Sequence, residues 1–205
     1  MFVKRPALRR RPPSGRVRAS ELEPPRPRAG ARVAIRLLDR GDREAFLALA
    51  RDSHELHRPW TYPPERPEQF DELYSRSRRD DFVCLVAVIP GTEELVGVFT
   101  ISQIFRGAFQ SAYLGYYANQ RHAGQGLMRE ALEQVLDHSF GPLALHRIEA
   151  NIQPGNHPSI ALARGAGFRL EGFSPRYLLI GGQWRDHERY ALTAEDWTQA
   201  QNSPS

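Results

Sequence analysis

Residues Leu114 to Leu132 read LGYYANQRHAGQGLMREAL, a run that turns from strand to helix through a glycine-rich bend. Lacking Cβ atoms, Gly124 and Gly126 let the main chain approach a ligand closely and adopt positive φ. That conformation turns successive N–H groups inward, and the helix that starts here adds the positive end of its dipole. A phosphorylated ligand is the natural occupant. The spacing sorts the candidates. A dinucleotide fingerprint needs a third glycine where Arg129 stands, so that match is weak. A nucleotide P-loop needs Lys and then Ser or Thr where Leu127 and Met128 stand, so that match fails.

Outward from the bend, apolar periodicity marks the elements. A strand is expected near Arg32 to Leu38. A helix follows from about Asp42 to Asp52, with Phe46, Leu49 and Ala50 on one face. A second helix starts at Pro67, whose missing N–H would be unpaired there in any case, and buries Phe70, Leu73 and Tyr74. Phe82 to Ile89 and Leu95 to Gln103 read as a hairpin joined through Pro90-Gly91. The strand ending near Ala118 feeds the bend, and Leu127, Met128, Ala131, Leu132, Val135 and Leu136 share one face of the helix after it. From Arg147 to Ile152 the pattern alternates, with Ile148, Ala150 and Ile152 opposite Arg147, Glu149 and Asn151. Asn156 reads as the N-cap of a short helix that ends at Gly165 to Gly167.

Three further stretches join the bend in one pattern: FRGAFQSAYLGY at Phe105–Tyr116, HRIEANIQPGNHPSIALARGAGF at His146–Phe168, and YLLIGGQWRDHERYALTAEDW at Tyr177–Trp197. Together they resemble the acetyl-coenzyme A dependent N-acetyltransferases of the GNAT superfamily, in particular the RimJ/RimL-like branch that acetylates ribosomal-protein N-termini. The resemblance covers most of Arg32 to Trp197 and implies a mixed α/β GNAT fold. In that fold a central twisted, mostly antiparallel sheet is flanked by helices and splayed into an acetyl-CoA cleft. The family's pyrophosphate loop runs Gln/Arg, two residues, Gly, one residue, Gly/Ala. Starting at Arg121 the match is complete. Starting at Ala123 it departs at Ala123 and Met128, yet GQGLMREAL then aligns with the branch's helix, and this register is preferred. The resemblance thus implies coenzyme contacts from Tyr116, Tyr117, Ala118, Ala123, Gly124, Gln125, Gly126, Leu127, Met128 and Asn156.

The implied chemistry is direct attack of an amine on the thioester of acetyl-CoA. In the superfamily a backbone N–H at the splayed strand end stabilises the oxyanion, here about Tyr117 or Ala118. Many members place a Tyr seven residues after the Asn of the second segment; here that position is Ala163, and Ser159 is the candidate to contact or protonate the departing sulfur. Glu149 is the candidate base, directly or through a water, with a salt bridge to Arg147 as its competing role. Trp60 and Trp184 resemble positions near the acceptor, although aromatics there also serve as packing. An α-amino group, with a pKa of about 7.7–8.0, is neutral far more readily than Lys at about 10.4. An alanine-starting ribosomal protein is the implied acceptor. Fold and donor site leave two other readings open: acetylation of a small amine such as an antibiotic or polyamine, and a ribosome- or RNA-associated factor with a degenerate coenzyme site.

Composition is consistent with one domain over 32–198, a basic extension over 1–31 and a short tail over 199–205, within 205 residues of 40% hydrophobic content. Residues 1–32 carry ten Lys/Arg against two Glu, a surplus of eight; the whole-chain net charge is +4, so residues 33–205 hold 18 basic against 22 acidic side chains, a net of −4. Six prolines and little apolar periodicity make the extension an expected flexible segment, solvated or acting as a salt-sensitive tether to ribosomal RNA. It has no apolar core of a secretory signal, and no membrane span is expected. The single cysteine, Cys84, lies in the apolar run FVCLVAVI and suits a core position in a reducing cytoplasm; no metal site is expected, since His54 and His57 in HELH lack the zinc-peptidase spacing.

Overall fold

A computed structural model of the protein describes residues 30–202. The proposed RNA tether lies almost wholly before residue 30, outside the described residues. Strand β1 spans Ala34–Leu37, followed by helices α1 (Arg43–Asp52), α2 (His54–His57) and α3 (Pro67–Arg76). Strands β2 (Phe82–Val88), β3 (Leu95–Phe105) and β4 (Ser111–Ala118) lead into α4 (Leu127–Phe140). Strand β5 (Arg147–Ile152), helix α5 (His157–Gly165), strands β6 (Arg169–Ile180) and β7 (Gln183–Thr193), and helix α6 (Ala194–Asn202) complete the described chain.

The seven strands form one sheet in the order β1-β2-β3-β4-β5-β7-β6. All neighbours are antiparallel except β4 and β5. The sheet has an apolar core on each face, which explains why β2 reads as an unbroken hydrophobic run. Its alternate residues Val83, Leu85 and Ala87 meet the core under α4 and α5, whereas Phe82, Cys84, Val86 and Val88 meet the core under α1 and α3. Cys84 is buried, as its run implied, and burial raises its thiol pKa far above the ordinary value.

Helix α4 anchors the bend to this core. Ala131, Leu132, Val135 and Leu136 are all fully buried, each leucine contributing roughly 1.5–3 kcal/mol. Leu132→Ala is therefore expected to lower unfolding stability by about 2–5 kcal/mol, measured by urea denaturation with an unchanged slope.

Three features depart from the expected outline. Helix α2 was not anticipated from HELH, and β3 runs to Phe105 rather than stopping at Gln103. The chain also turns helical straight after β7, carrying α6 past residue 198, where the folded part was expected to end. Thr193 caps this helix: its Oγ1 accepts from the Asp196 N–H at 3.3 Å and its hydroxyl donates to the Asp196 carboxylate at 2.8 Å. Trp197 is buried and donates to Asp137 Oδ1 at 3.0 Å, docking α6 on α4. Among the described residues no helix is long and apolar enough to cross a membrane, and no cluster of His, Cys, Asp or Glu could hold a metal.

Candidate active site

Strands β4 and β5 pair through only three positions, Ser111 with Arg147, Ala112 with Ile148 and Tyr113 with Glu149. Beyond Tyr113 they part, leaving Leu114–Ala118 facing a gap. The side of β4 that looks into this gap follows from the ladder. Asn119 N–H donates to Val96 O at 2.8 Å. Because antiparallel bonds recur every second residue, Tyr117 also points its N–H toward β3, and the N–H groups of Ala118 and Tyr116 point into the gap. Of the two positions suggested by the sequence, Ala118 has the usable amide. Its carbonyl is held from the same side by His57 Nε2 at 2.8 Å.

The bend closes one end of the gap. Gly124 and Gly126 have φ of +75° and +79°, the left-handed region that glycine occupies without strain. Gly126 is the N-cap of α4, and the N–H groups of Arg129 and Glu130 both donate to its carbonyl. The N–H groups of residues 124–128 have no protein acceptor among the described residues. Five unpaired donors at a helix N-terminus form a site fit for a pyrophosphate. Side chains hold the loop from behind: Arg32 donates to Gln125 O at 3.3 Å and pairs with Glu130 at 3.1 Å, while Gln125 Nε2 donates to Arg121 O at 3.0 Å. Residues Gln120–His122 form a separate 3-10 turn, so the loop proper begins at Ala123.

A cavity of about 630 Å³ runs along this gap. Tyr116, Tyr117, Ala118, Ala123, Gly124, Gly126, Met128, Asn156 and Ser159 line it, together with His57, Trp60 and Arg129. Two expected contacts do not line it with their side chains, since Gln125 turns to Arg121 and Leu127 is buried in the core, and only their N–H groups are available to a ligand. Met128 departs from the small residue expected there, and Gly97 on β3 makes room, since any Cβ at 97 would collide with the Met128 sulfur. Asn156 caps α5 by accepting from Ser159 N–H at 3.3 Å, and Tyr116 donates across the gap to Ser159 O at 3.0 Å. Burial raises the Tyr116 phenol to about 12, keeping it a neutral donor. Ala163, whose methyl group can supply no acid, is packed in the core.

Glu149 lies elsewhere. Its carboxylate is ion-paired with Arg147 at 2.8 Å, Arg147 also binds Glu171, and Glu149 lines neither cavity of the cleft. Trp184 is 61% exposed and likewise lines neither, whereas Trp60 lines both.

A second, smaller cavity of about 170 Å³ shares Trp60, Thr61, Tyr116, Asn156 and Ser159 with the first and extends toward Asn151, Leu178, Ile180 and His187. Among the described residues no Asp, Glu, Lys or Arg lines it. Trp60 forms part of the common wall: its carbonyl accepts from Gln153 Nε2 at 3.0 Å, and its ring covers Gly155. Sequence reasoning missed Gln153 and His187, and weighed His57 only against a metal pattern; all three are buried polar side chains at the cleft.

A sheet splayed between two parallel strands, with a phosphate-ready helix start at its mouth, defines an acetyl-CoA dependent acyltransferase. The profile of the acetyltransferase (GNAT) domain family matches residues 32–169, and the chain belongs to that family, which uses acetyl-CoA as donor. Over 109 residues it is 45% identical to the [ribosomal protein uS5]-alanine N-acetyltransferase of Escherichia coli (strain K12), covering 53% of this chain and 56% of that one. It is 25% identical over 159 residues to the spermidine N(1)-acetyltransferase of Vibrio cholerae, covering 78% of this chain and 91% of that one. Among solved structures, Mycobacterium smegmatis RimJ in complex with CoA-disulfide superposes with a TM-score of 0.73 at 32% identity, covering 80% of this chain and 83% of that one.

Proposed function

We propose that the protein transfers acetyl from acetyl-CoA to the α-amino group of a protein N-terminus, with an alanine-starting ribosomal protein as the acceptor class. The observation that carries this reading is the uncharged lining of the second cavity. A polyamine brings several ammonium groups, and burying one beside the reacting amine without a carboxylate is unfavourable. A peptide brings one amine followed by neutral amides. The likeness to the uS5-alanine enzyme supports the same reading, and the likeness to a spermidine enzyme supports the small-amine alternative.

In this reaction the coenzyme's pyrophosphate lies on the N–H groups of residues 124–128, and the thioester carbonyl points at the Ala118 N–H. The amine enters from the second cavity and attacks the carbonyl carbon at the wall the two cavities share. Ser159 stands at that wall and is proposed to protonate or hydrogen-bond the departing sulfur. A thiolate with a pKa of about 8.5 leaves with little help. Ser159→Ala is therefore expected to lower kcat by only about tenfold, below the usual general-acid range, with acetyl-CoA affinity unchanged by calorimetry.

Thiol release with an Ala-initiated peptide compared with spermidine tests the acceptor. A kcat/KM on the peptide at least tenfold above that on spermidine is expected. The reverse preference would replace the peptide reading with the polyamine one.

A further inference from the structure

We infer that His187 is the proton acceptor for the attacking amine, an assignment that rests on the proposed use of the second cavity as the acceptor chamber. His187 is only 3% exposed, on a strand whose neighbours Arg185 and Glu188 are far less deeply buried. Its Nδ1 lies 2.9 Å from the Arg185 carbonyl oxygen. A carbonyl only accepts, so Nδ1 carries the hydrogen and Nε2 is left with a lone pair. That nitrogen has no protein partner among the described residues and is not sealed from solvent, unlike His57 Nδ1, which is fully enclosed.

The Asn151 side chain beside it has its Oδ1 enclosed and without a hydrogen-bond partner among the described residues. Asn151 and His187 both line the 170 Å³ cavity. A lone pair on a side chain that lines this small chamber suits an amine, which has hydrogens to donate to it. Burial also lowers the His187 pKa below its ordinary value, so the ring is neutral at pH 7. The groups around it do little to reverse this. Asp186 on its own strand favours the charged form, Tyr177 on β6 presents a ring at 6.1 Å, and Asn151 and Gln153 on β5 are uncharged.

The step balances without another reactant. The amine nitrogen bonds to the thioester carbon, the carbonyl electrons move to oxygen, and the nitrogen becomes positively charged. His187 Nε2 takes one proton from that nitrogen. The oxyanion then collapses, the C–S bond breaks, and the sulfur leaves as thiolate and ends as thiol, with the imidazolium proton restoring the balance.

His187→Asn keeps a donor for the Arg185 carbonyl but removes the Nε2 lone pair. On the acceptor that the wild-type enzyme acetylates, it is expected to lower kcat on the order of 10²-fold, with acetyl-CoA affinity by calorimetry unchanged. His187→Ala is expected to lose as much and to regain at least tenfold when millimolar imidazole is added, a rescue that a purely structural role would not give. Unchanged kcat in His187→Asn, lost coenzyme affinity, or absence of imidazole rescue would each overturn the assignment. Failure of the acceptor reading is seen separately, in the wild-type enzyme alone, as turnover of spermidine in preference to peptide; a wild type that acetylates neither overturns both.

Discussion

Gly124→Val is expected to weaken acetyl-CoA binding by on the order of 10²- to 10³-fold while leaving the protein folded. Gly124 has φ of +75°, and nothing lies within 4 Å of where its Cβ would sit, so the obstacle is conformational rather than steric crowding. A β-branched residue in that region costs about 1–2 kcal/mol. The chain escapes by relaxing φ, and relaxation swings the neighbouring N–H groups out of line with the phosphates. Each hydrogen bond to a charged group is worth roughly 1.5–3 kcal/mol, so strain and one or two lost bonds together reach about 3–5 kcal/mol, at about 1.4 kcal/mol per tenfold. Gly107, with φ of +71°, lies between β3 and β4 and lines neither cavity. Gly107→Val should carry similar strain yet keep its affinity. Calorimetry on the two variants separates loop geometry from general destabilisation, and equal affinities would mean the bend does not hold the pyrophosphate.

Ala118→Pro is expected to reduce kcat by about 10²- to 10³-fold, the usual loss when one oxyanion donor is removed. Proline deletes a single N–H. At most positions of a sheet interior this would break the ladder, but the Ala118 N–H points into the gap between β4 and β5. The residue before it, Tyr117, is already extended, as a residue preceding proline prefers to be. Stability and acetyl-CoA affinity should consequently change much less than turnover. Single-turnover measurements at saturating donor make the comparison directly; a kcat within a factor of three of wild type would place the oxyanion elsewhere, with Tyr116 N–H as the next candidate.

Much of this site was legible in the sequence because its parts are local. The strand–bend–helix signal needs only the spacing of Gly124 and Gly126 and the apolar face that follows, and the alternation of β5 is observed as read, with Ile148, Ala150 and Ile152 buried. Asn156 caps its helix as its type and place suggested. The parts that were not legible depend on distant contacts. Glu149 draws its Arg147 partner into a cluster with Glu171, 24 residues further on, and nothing in the alternation of β5 says which residues look into the gap and which lie where β4 still pairs. The second cavity is closed by Leu178, Ile180 and His187, which reach it only because the β6–β7 hairpin joins the sheet beside β5. Helix α6 was a different omission. The pattern Thr193-Ala194-Glu195-Asp196 is a capping sequence, which the family resemblance over Tyr177–Trp197 did not single out.

The packing of Met128 on Gly97 has a bearing on how such enzymes are recombined. A phosphate loop is tempting to treat as a cassette that is moved between relatives with its helix, yet here one of its side chains occupies space vacated 31 positions earlier on another strand. A chimera that receives this loop on a β3 bearing any larger residue must swing the flexible Met128 side chain aside, and one that receives the β3 without the loop is left with the space that side chain filled. The two positions therefore travel as a pair, and the boundary of an exchangeable unit in this fold is drawn by contact across the sheet rather than by continuity along the chain.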